Sequence, residues 1–147
     1  IIEQFICPLA LKLNPDLVII QAGADCLEDD PQSKMSLTNF SYWNAISKLK
    51  DITKKTLILG GGGYNPYVTA KAWAGNWLVL NDKEYLLDSV INEKCRDLLK
   101  SLNWKNSRVR EGIPKKWLEH WLDKPKKYKV RDDIKRLLDE INKIKNF

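Results

Sequence analysis

Apolar residues at positions 1, 2, 5, 6, 9 and 13 recur at the spacing of one helix face, so Ile1–Leu13 is predicted to be helical. Asn14-Pro15 ends that helix, because a residue before proline is pushed out of the helical region. Leu17–Ala22 (LVIIQA) is short, β-branched and almost wholly apolar, which predicts a strand buried on both faces. The polar, acidic stretch Gly23–Leu37 predicts a long loop. Thr38 is a candidate cap for a second helix, with Tyr42, Trp43, Ile46 and Leu49 facing inward. Thr56–Leu59 predicts a second doubly buried strand. Pro66 suits the first turn of a third helix, whose inner face would carry Ala70, Trp73, Ala74, Trp77 and Leu78. Further on, Leu87, Val90, Ile91, Cys95, Leu98, Leu99 and Leu102 share a helical face, as do Val130, Ile134, Leu137, Leu138, Ile141 and Ile144. A Trp-rich stretch broken by prolines, Trp104 to Pro125, separates them, and its Trp104, Trp117 and Trp121 are expected to be core anchors under a helical cap.

The order helix, strand, helix, strand, helix is the grammar of a parallel sheet, so the fold class is α/β. Two strands alone make a sheet that is all edge. The expectation is therefore that the chain is part of a larger α/β protein, and the missing initiator Met agrees with this.

Composition narrows the function classes. The 147 residues are about one domain's worth, 44% hydrophobic and 30% charged. No apolar run approaches the ~20 residues of a membrane span, and Ile1–Leu13 lacks the basic flank and cleavage site of a secretory leader. Three widely spaced cysteines, Cys7, Cys26 and Cys95, suit a reducing cytoplasm better than a disulfide framework. No C-x-x-C pair offers a cysteine zinc site. The net charge of +6 is uneven: residues 1–100 carry 11 basic against 12 acidic residues, and residues 101–147 carry 14 against 7. Of the 25 cations 20 are lysine, which lacks arginine's phosphate-matching fork, so a solvated basic surface is favoured over nucleic-acid binding.

The candidate chemistry lies after the two strands. The second runs into TLILGGGGYNP. A glycine-rich loop between strand and helix first suggests phosphate binding, but the spacing fits neither G-x-x-x-x-G-K-[ST] nor G-x-G-x-x-G. A turn needing positive φ explains one or two glycines and not four. Four in a row also make a wall without side chains, against which a slim ligand can lie. Tyr64 follows at the strand's carboxyl end, where open α/β sheets place ligands, and its phenol is a donor that could bind an oxyanion. A buried structural tyrosine is the commoner role. Asp25 follows the first strand, so a parallel sheet puts it at the same edge as Tyr64. It could serve as a metal ligand or base; an Asx turn or helix cap is its ordinary structural role. Glu28, Asp29 and Asp30 read as a solvated acidic loop.

Pro15–Asp25 (PDLVIIQAGAD), Asp29-Asp30-Pro31, Leu37-Thr38 and Leu57–Pro66 (LILGGGGYNP) together resemble the zinc-dependent histone deacetylase family, with the bacterial acetoin-utilisation type nearest. The resemblance covers residues 1–80 or so. It implies a three-layer α/β/α domain with a mainly parallel sheet, of which this chain would be the C-terminal part, with residues 81–147 a helical extension packed on the same domain. It also implies Asp25 as one of three protein ligands to Zn2+, and Tyr64 as the hydrogen-bond donor to the substrate carbonyl. Gly62 and Gly63 would line the acyl-lysine channel. Gln32 would stand at a channel-wall position that is usually Leu or Met, a departure that bears on substrate.

The family's paired catalytic histidines and its Asp-x-His motif have no match. The single histidine, His120, sits in WLEHW and reads as an amphipathic-helix residue. The expected function is thus part of a zinc-dependent amide hydrolase acting on acetyl-lysine or related acetylated amines, inactive as this chain alone. The other readings are a nucleotide- or phosphate-binding α/β fragment and a non-catalytic interaction protein using its basic tail.

Overall fold

The computed structural model describes residues 1–123 and 129–144. A π-helical turn, Ile2–Ile6, runs directly into helix α1, Cys7–Leu13, which ends at Asn14 in the left-handed conformation. Strand β1 (Val18–Gln21) leads through the acidic loop to helix α2 (Asn39–Lys50). Thr38 caps α2 by accepting the Ser41 N–H, as its position predicts. Strand β2 (Thr56–Leu59) returns parallel to β1, with Val18 opposite Thr56 and Gln21 opposite Leu59. Helix α3 (Pro66–Leu80) follows the glycines. This is the expected α/β arrangement with a parallel sheet, and among the described residues the sheet has two strands. No helix among them is long and apolar enough to cross a membrane.

Two expectations about burial are corrected. The strands are covered on one face only. Ile20 and Ala22 enter the core with Val18 and Ile58 beside them, whereas Ile19, Leu57 and Leu59 are 57%, 45% and 44% exposed. Pairing Ile19 with Leu57 and Gln21 with Leu59 puts these on the same uncovered face. Helix α3 is also rotated from its expected setting. Its buried residues are Tyr67, Lys71, Ala72, Gly75, Asn76 and Val79, while Ala70, Trp73 and Trp77 are exposed. The cause is Trp43. Its indole lies against Gly75, where a Cβ would overlap the ring, and its Nε1 donates to the Ala72 carbonyl at 3.1 Å. The polar residues turned inward have partners. Asn76 donates to the Tyr42 hydroxyl (3.1 Å), which donates to the Ala22 carbonyl (2.9 Å).

The segment after α3 breaks up more than the apolar spacing predicts. Glu84–Asp88, Ser107–Val109 and Lys115–Trp117 are 3-10 turns, and over the described residues 81–123 the α-helix is Glu93–Lys100, α4. Leu87, Ile91 and Leu99 are buried, but Val90 and Leu98 are more than 60% exposed, so the expected continuous face does not form. A second core gathers Tyr67, Ile91, Leu99 and Trp117, with Trp104 and Trp121 packed around it. Trp117 stacks on Tyr67 at a centroid distance of 5.4 Å. Trp117 is a core anchor, as expected, while Trp104 and Trp121 are half-buried against it. His120 is not in a helix; it is exposed and bridges Val90 in an antiparallel pair. Helix α5, Asp132–Ile144, keeps Ile134, Leu138 and Ile141 half-buried and Leu137 exposed. Pro125 and the side chain of Ile144 lie outside the described residues.

Asp123 staples this segment to helices α2 and α3. Asn39 and Asp123 exchange N–H bonds with each other's side-chain oxygens at 3.0 and 2.8 Å, and Asn39 Nδ2 donates to the Trp121 carbonyl. Lys71, 4% exposed, pairs with Asp123 at 3.6 Å. Burial pushes the Lys71 ammonium below its ordinary value of 10.5, against the pull of Asp123.

Two outcomes follow. Trp43→Ala should cost about 3–5 kcal/mol in denaturant unfolding, the usual range for a buried tryptophan. A lowered lysine pKa means that the unfolded chain binds more protons between the folded pKa and 10.5. Stability relative to Lys71→Met should therefore shift in favour of the parent protein as pH rises through that window, and a shift the other way contradicts the assignment.

Candidate active site

The site forms where β1 and β2 end side by side. Beyond β1, Gly23 stays extended and a 3-10 turn, Ala24–Cys26, swings Asp25 toward the second loop. The strand ladder continues through Ala22 N–H to Leu59 O at 2.9 Å, then Ala24 N–H to Gly62 O at 2.7 Å. The two loops touch backbone to backbone: a Cβ on Gly61 would stand 2.8 Å from Gly23 Cα. A Cβ on Gly62 would overlap the Asp25 carboxylate, and one on Gly63 would lie 2.7 Å from Thr69 Oγ1. None of the four glycines has positive φ; among the described glycines that backbone occurs at Gly112. Close approach, rather than a left-handed turn, is what calls for glycine here.

Asp25 and Gly62 border an open cavity of about 370 Å³. Its other walls include Gly23, Cys26, Met35, Leu37 and Tyr42. The Asp25 carboxylate is partly exposed and accepts no hydrogen bond among the described residues, so its oxygens are available to a ligand. Burial pushes the neighbouring Cys26 thiol up, backed by the charges of Asp25 and Asp30, and its Sγ donates to Gly23 O at 3.4 Å. Both effects favour the neutral thiol. Met35 was not singled out from the sequence, and Leu37 only within the Leu37-Thr38 motif; a lone methionine in a polar loop was the available signal for the first.

Tyr64 and Gln32 are organised elsewhere, around Asp30. The Asp30 side chain accepts from Tyr64 N (2.6 Å), Asn65 N (3.2 Å) and Gln32 N (2.8 Å). Asp30 is 2% exposed, which corrects its reading as part of a solvated rim. Asp29 is also committed. Its carboxylate accepts from Lys116 Nζ (2.6 Å) and Trp117 Nε1 (2.8 Å), and its carbonyl from Asn65 Nδ2 (2.9 Å). Glu28 is exposed. Gln32 is exposed too, and its side chain is not a wall of the cavity beside Asp25. The Tyr64 residue is 53% exposed, and its hydroxyl makes no hydrogen bond among the described residues.

The start of α3 is closed to phosphate. Asn65 Oδ1 takes the N–H groups of Tyr67 and Val68, and Asp30 takes those of Tyr64 and Asn65. The donors that this helix start would offer an anion are occupied by the chain's own oxygens.

A model of the histone deacetylase domain matches residues 1–80. The chain belongs to the histone deacetylase family. Histone deacetylase 8 of Xenopus laevis is 36% identical over 73 residues, which cover 46% of this chain and 22% of that protein. Histone deacetylase 8 of Danio rerio is 37% identical over 60 residues, 41% of this chain and 16% of that one. The chain thus spans less than a quarter of these relatives. Among solved structures, an HDAC homolog from Aquifex aeolicus superposes with a TM-score of 0.73 at 28% identity, and an HDAC homolog complexed with SAHA with a TM-score of 0.74 at 29%. Each covers 95% of this chain and is itself covered over 38%. The stretch matched by the deacetylase model contains β1, α2, β2, α3 and both loops of the site.

Asn65→Ala removes the α3 cap and the bond to Asp29. It should lower stability by about 1–2 kcal/mol in thermal unfolding, a typical cap loss, and an unchanged melting temperature would contradict the role given to the cap.

Proposed function

We propose that this chain forms one side of the catalytic centre of a zinc-dependent deacetylase that hydrolyses acetyl-lysine or a related acetylated amine. The observation that carries the reading is the contact of Asp25 with Gly62 at a cavity mouth, two residues before Tyr64 on the same loop. The deacetylase relatives and the likeness to a structure described as complexed with SAHA support the same chemistry.

The donor set fits a contribution to a metal site rather than a whole one. Among the described residues no cluster of three or more His, Cys, Asp or Glu could hold a metal. Asp25 alone has a carboxylate at the cavity with no hydrogen bond already made. A catalytic zinc takes three protein ligands and a water, so Asp25 would be one ligand and the other two would come from beyond the described residues. Bound zinc supplies Lewis-acid polarisation and an acidified water.

The remaining roles belong to the chain's own residues. Gly62 and Gly63 leave a wall without side chains, along which an acyl-lysine stem can lie, and Gln32 would stand at the channel's outer wall. The Tyr64 hydroxyl, free of internal partners among the described residues, would donate to the carbonyl oxygen as negative charge develops there. His120 lies at the Val90 bridge and takes no part; the general base would come from beyond the described residues. Residues 81–147 would act as an extension of the same domain through Asp29, Trp117 and Asp123.

In the full-length enzyme, Tyr64→Phe should lower kcat on an acetyl-lysine peptide by about 10²–10³-fold, the usual cost of one oxyanion donor, with zinc content unchanged. Asp25→Ala should lose the zinc. Full activity in the first variant, or full zinc occupancy in the second, would overturn these roles.

A further inference from the structure

We infer that Asp30 is the positioning residue of this site: a single buried carboxylate that sets Tyr64 on one loop and Gln32 on the other. The inference rests on the reading of Tyr64 as the carbonyl donor. Its ground is the way the tyrosine is held. Residues 60–63 are glycines, so the loop before Tyr64 has no side chain with which to brace itself. The Tyr64 residue is 53% exposed and its hydroxyl has no partner among the described residues, so side-chain packing and hydrogen bonding hold it weakly. What fixes it is the main chain, through the 2.6 Å bond from Tyr64 N–H to Asp30 Oδ2, which the Asn65 N–H shares at 3.2 Å. The other oxygen, Oδ1, takes Gln32 N–H at 2.8 Å. Hydrogen bonds from N–H to a carboxylate are among the stronger ones, and burial removes the competing water.

Asp30 is itself rigidly seated. Its N–H donates to Leu27 O at 3.0 Å, and its carbonyl accepts from Ser33 N at 3.2 Å. The residue before it, Asp29, is gripped by Lys116 and Trp117. The acidic loop is thus clamped from outside by the C-terminal segment, and passes that rigidity to the glycine loop through one side chain. The carboxylate has two acceptor oxygens facing donors on two different loops. An asparagine of the same shape has one, so it can satisfy Gln32 or Tyr64 but not both.

The test is Asp30→Asn in the full-length enzyme, alone and combined with Tyr64→Phe, assayed on an acetyl-lysine peptide with zinc content measured. Asp30→Asn should lower kcat by roughly 10- to 100-fold through misplacement of the donor, with KM changed far less and zinc retained. In the Tyr64→Phe background the same substitution should have almost no effect, because the group it positions is already gone. An equal loss in both backgrounds, or no loss in the first, overturns the inference while leaving the deacetylase reading intact. Full kcat in Tyr64→Phe alone is the separate result that overturns that reading, and this inference with it. Should Asp30→Asn fail to fold, amide hydrogen exchange of the unmutated enzyme decides: protected Tyr64, Asn65 and Gln32 amides support the role, and exchange of the Tyr64 amide at the solvent rate removes it.

Discussion

The close approach of two backbones, at Gly23 and Gly61, is the constraint on which the rest of the structure depends. Two parallel strands must end level with each other, and their loops must stay in register for two further residues, for the Ala24 N–H to reach Gly62 O. A single methyl group on Gly61 would force the loops apart. Keeping them together presses Asp25 against Gly62, and thereby puts a carboxylate and a wall without side chains at the same cavity. The glycine run follows from contact on successive faces of one strand end: Gly23 against Gly61, Asp25 against Gly62, Thr69 against Gly63.

Two neighbouring carboxylates then connect three parts of the chain. Asp29 faces the C-terminal segment and holds Lys116 and Trp117; Asp30 faces the glycine loop and holds Tyr64 and Asn65. Consecutive residues can do this because their side chains leave the backbone in different directions. The same arrangement decides the chemistry that the helix N-terminus is denied. The N–H groups at the start of α3 are spent here on internal oxygens, while the Tyr64 side chain is exposed.

Helices α2 and α3 fit together at one close contact. Trp43 fits against Gly75, which turns α3 so that Lys71 and Asn76 face inward and Trp73 and Trp77 face out. Lys71 is partnered by Asp123 and the Asn76 Nδ2 by the Tyr42 hydroxyl, while Asn76 Oδ1 has no partner among the described residues. The outward tryptophans and the uncovered strand residues Ile19, Leu57 and Leu59 leave apolar surface that the described residues do not cover.

The sequence by itself determined the order of the first elements, the parallel α/β class, the cap at Thr38, Pro66 in the first turn of α3, and the sheet edge to which Asp25 belongs. All of these come from local signals: strand composition, turn residues, and the rule that parallel strands bring their carboxyl ends together. It did not show which face of α3 is buried. Counting apolar residues favoured the tryptophans, and the true face is chosen by a glycine whose importance appears only when Trp43 is placed beside it. Nor could it separate Asp30 from a solvated acidic run, because a buried carboxylate is recognisable only from its donors, and two of its three lie 34 and 35 residues away in the chain. The tertiary structure decided those matters, since close packing and the need to pair every buried polar group act between residues far apart in sequence.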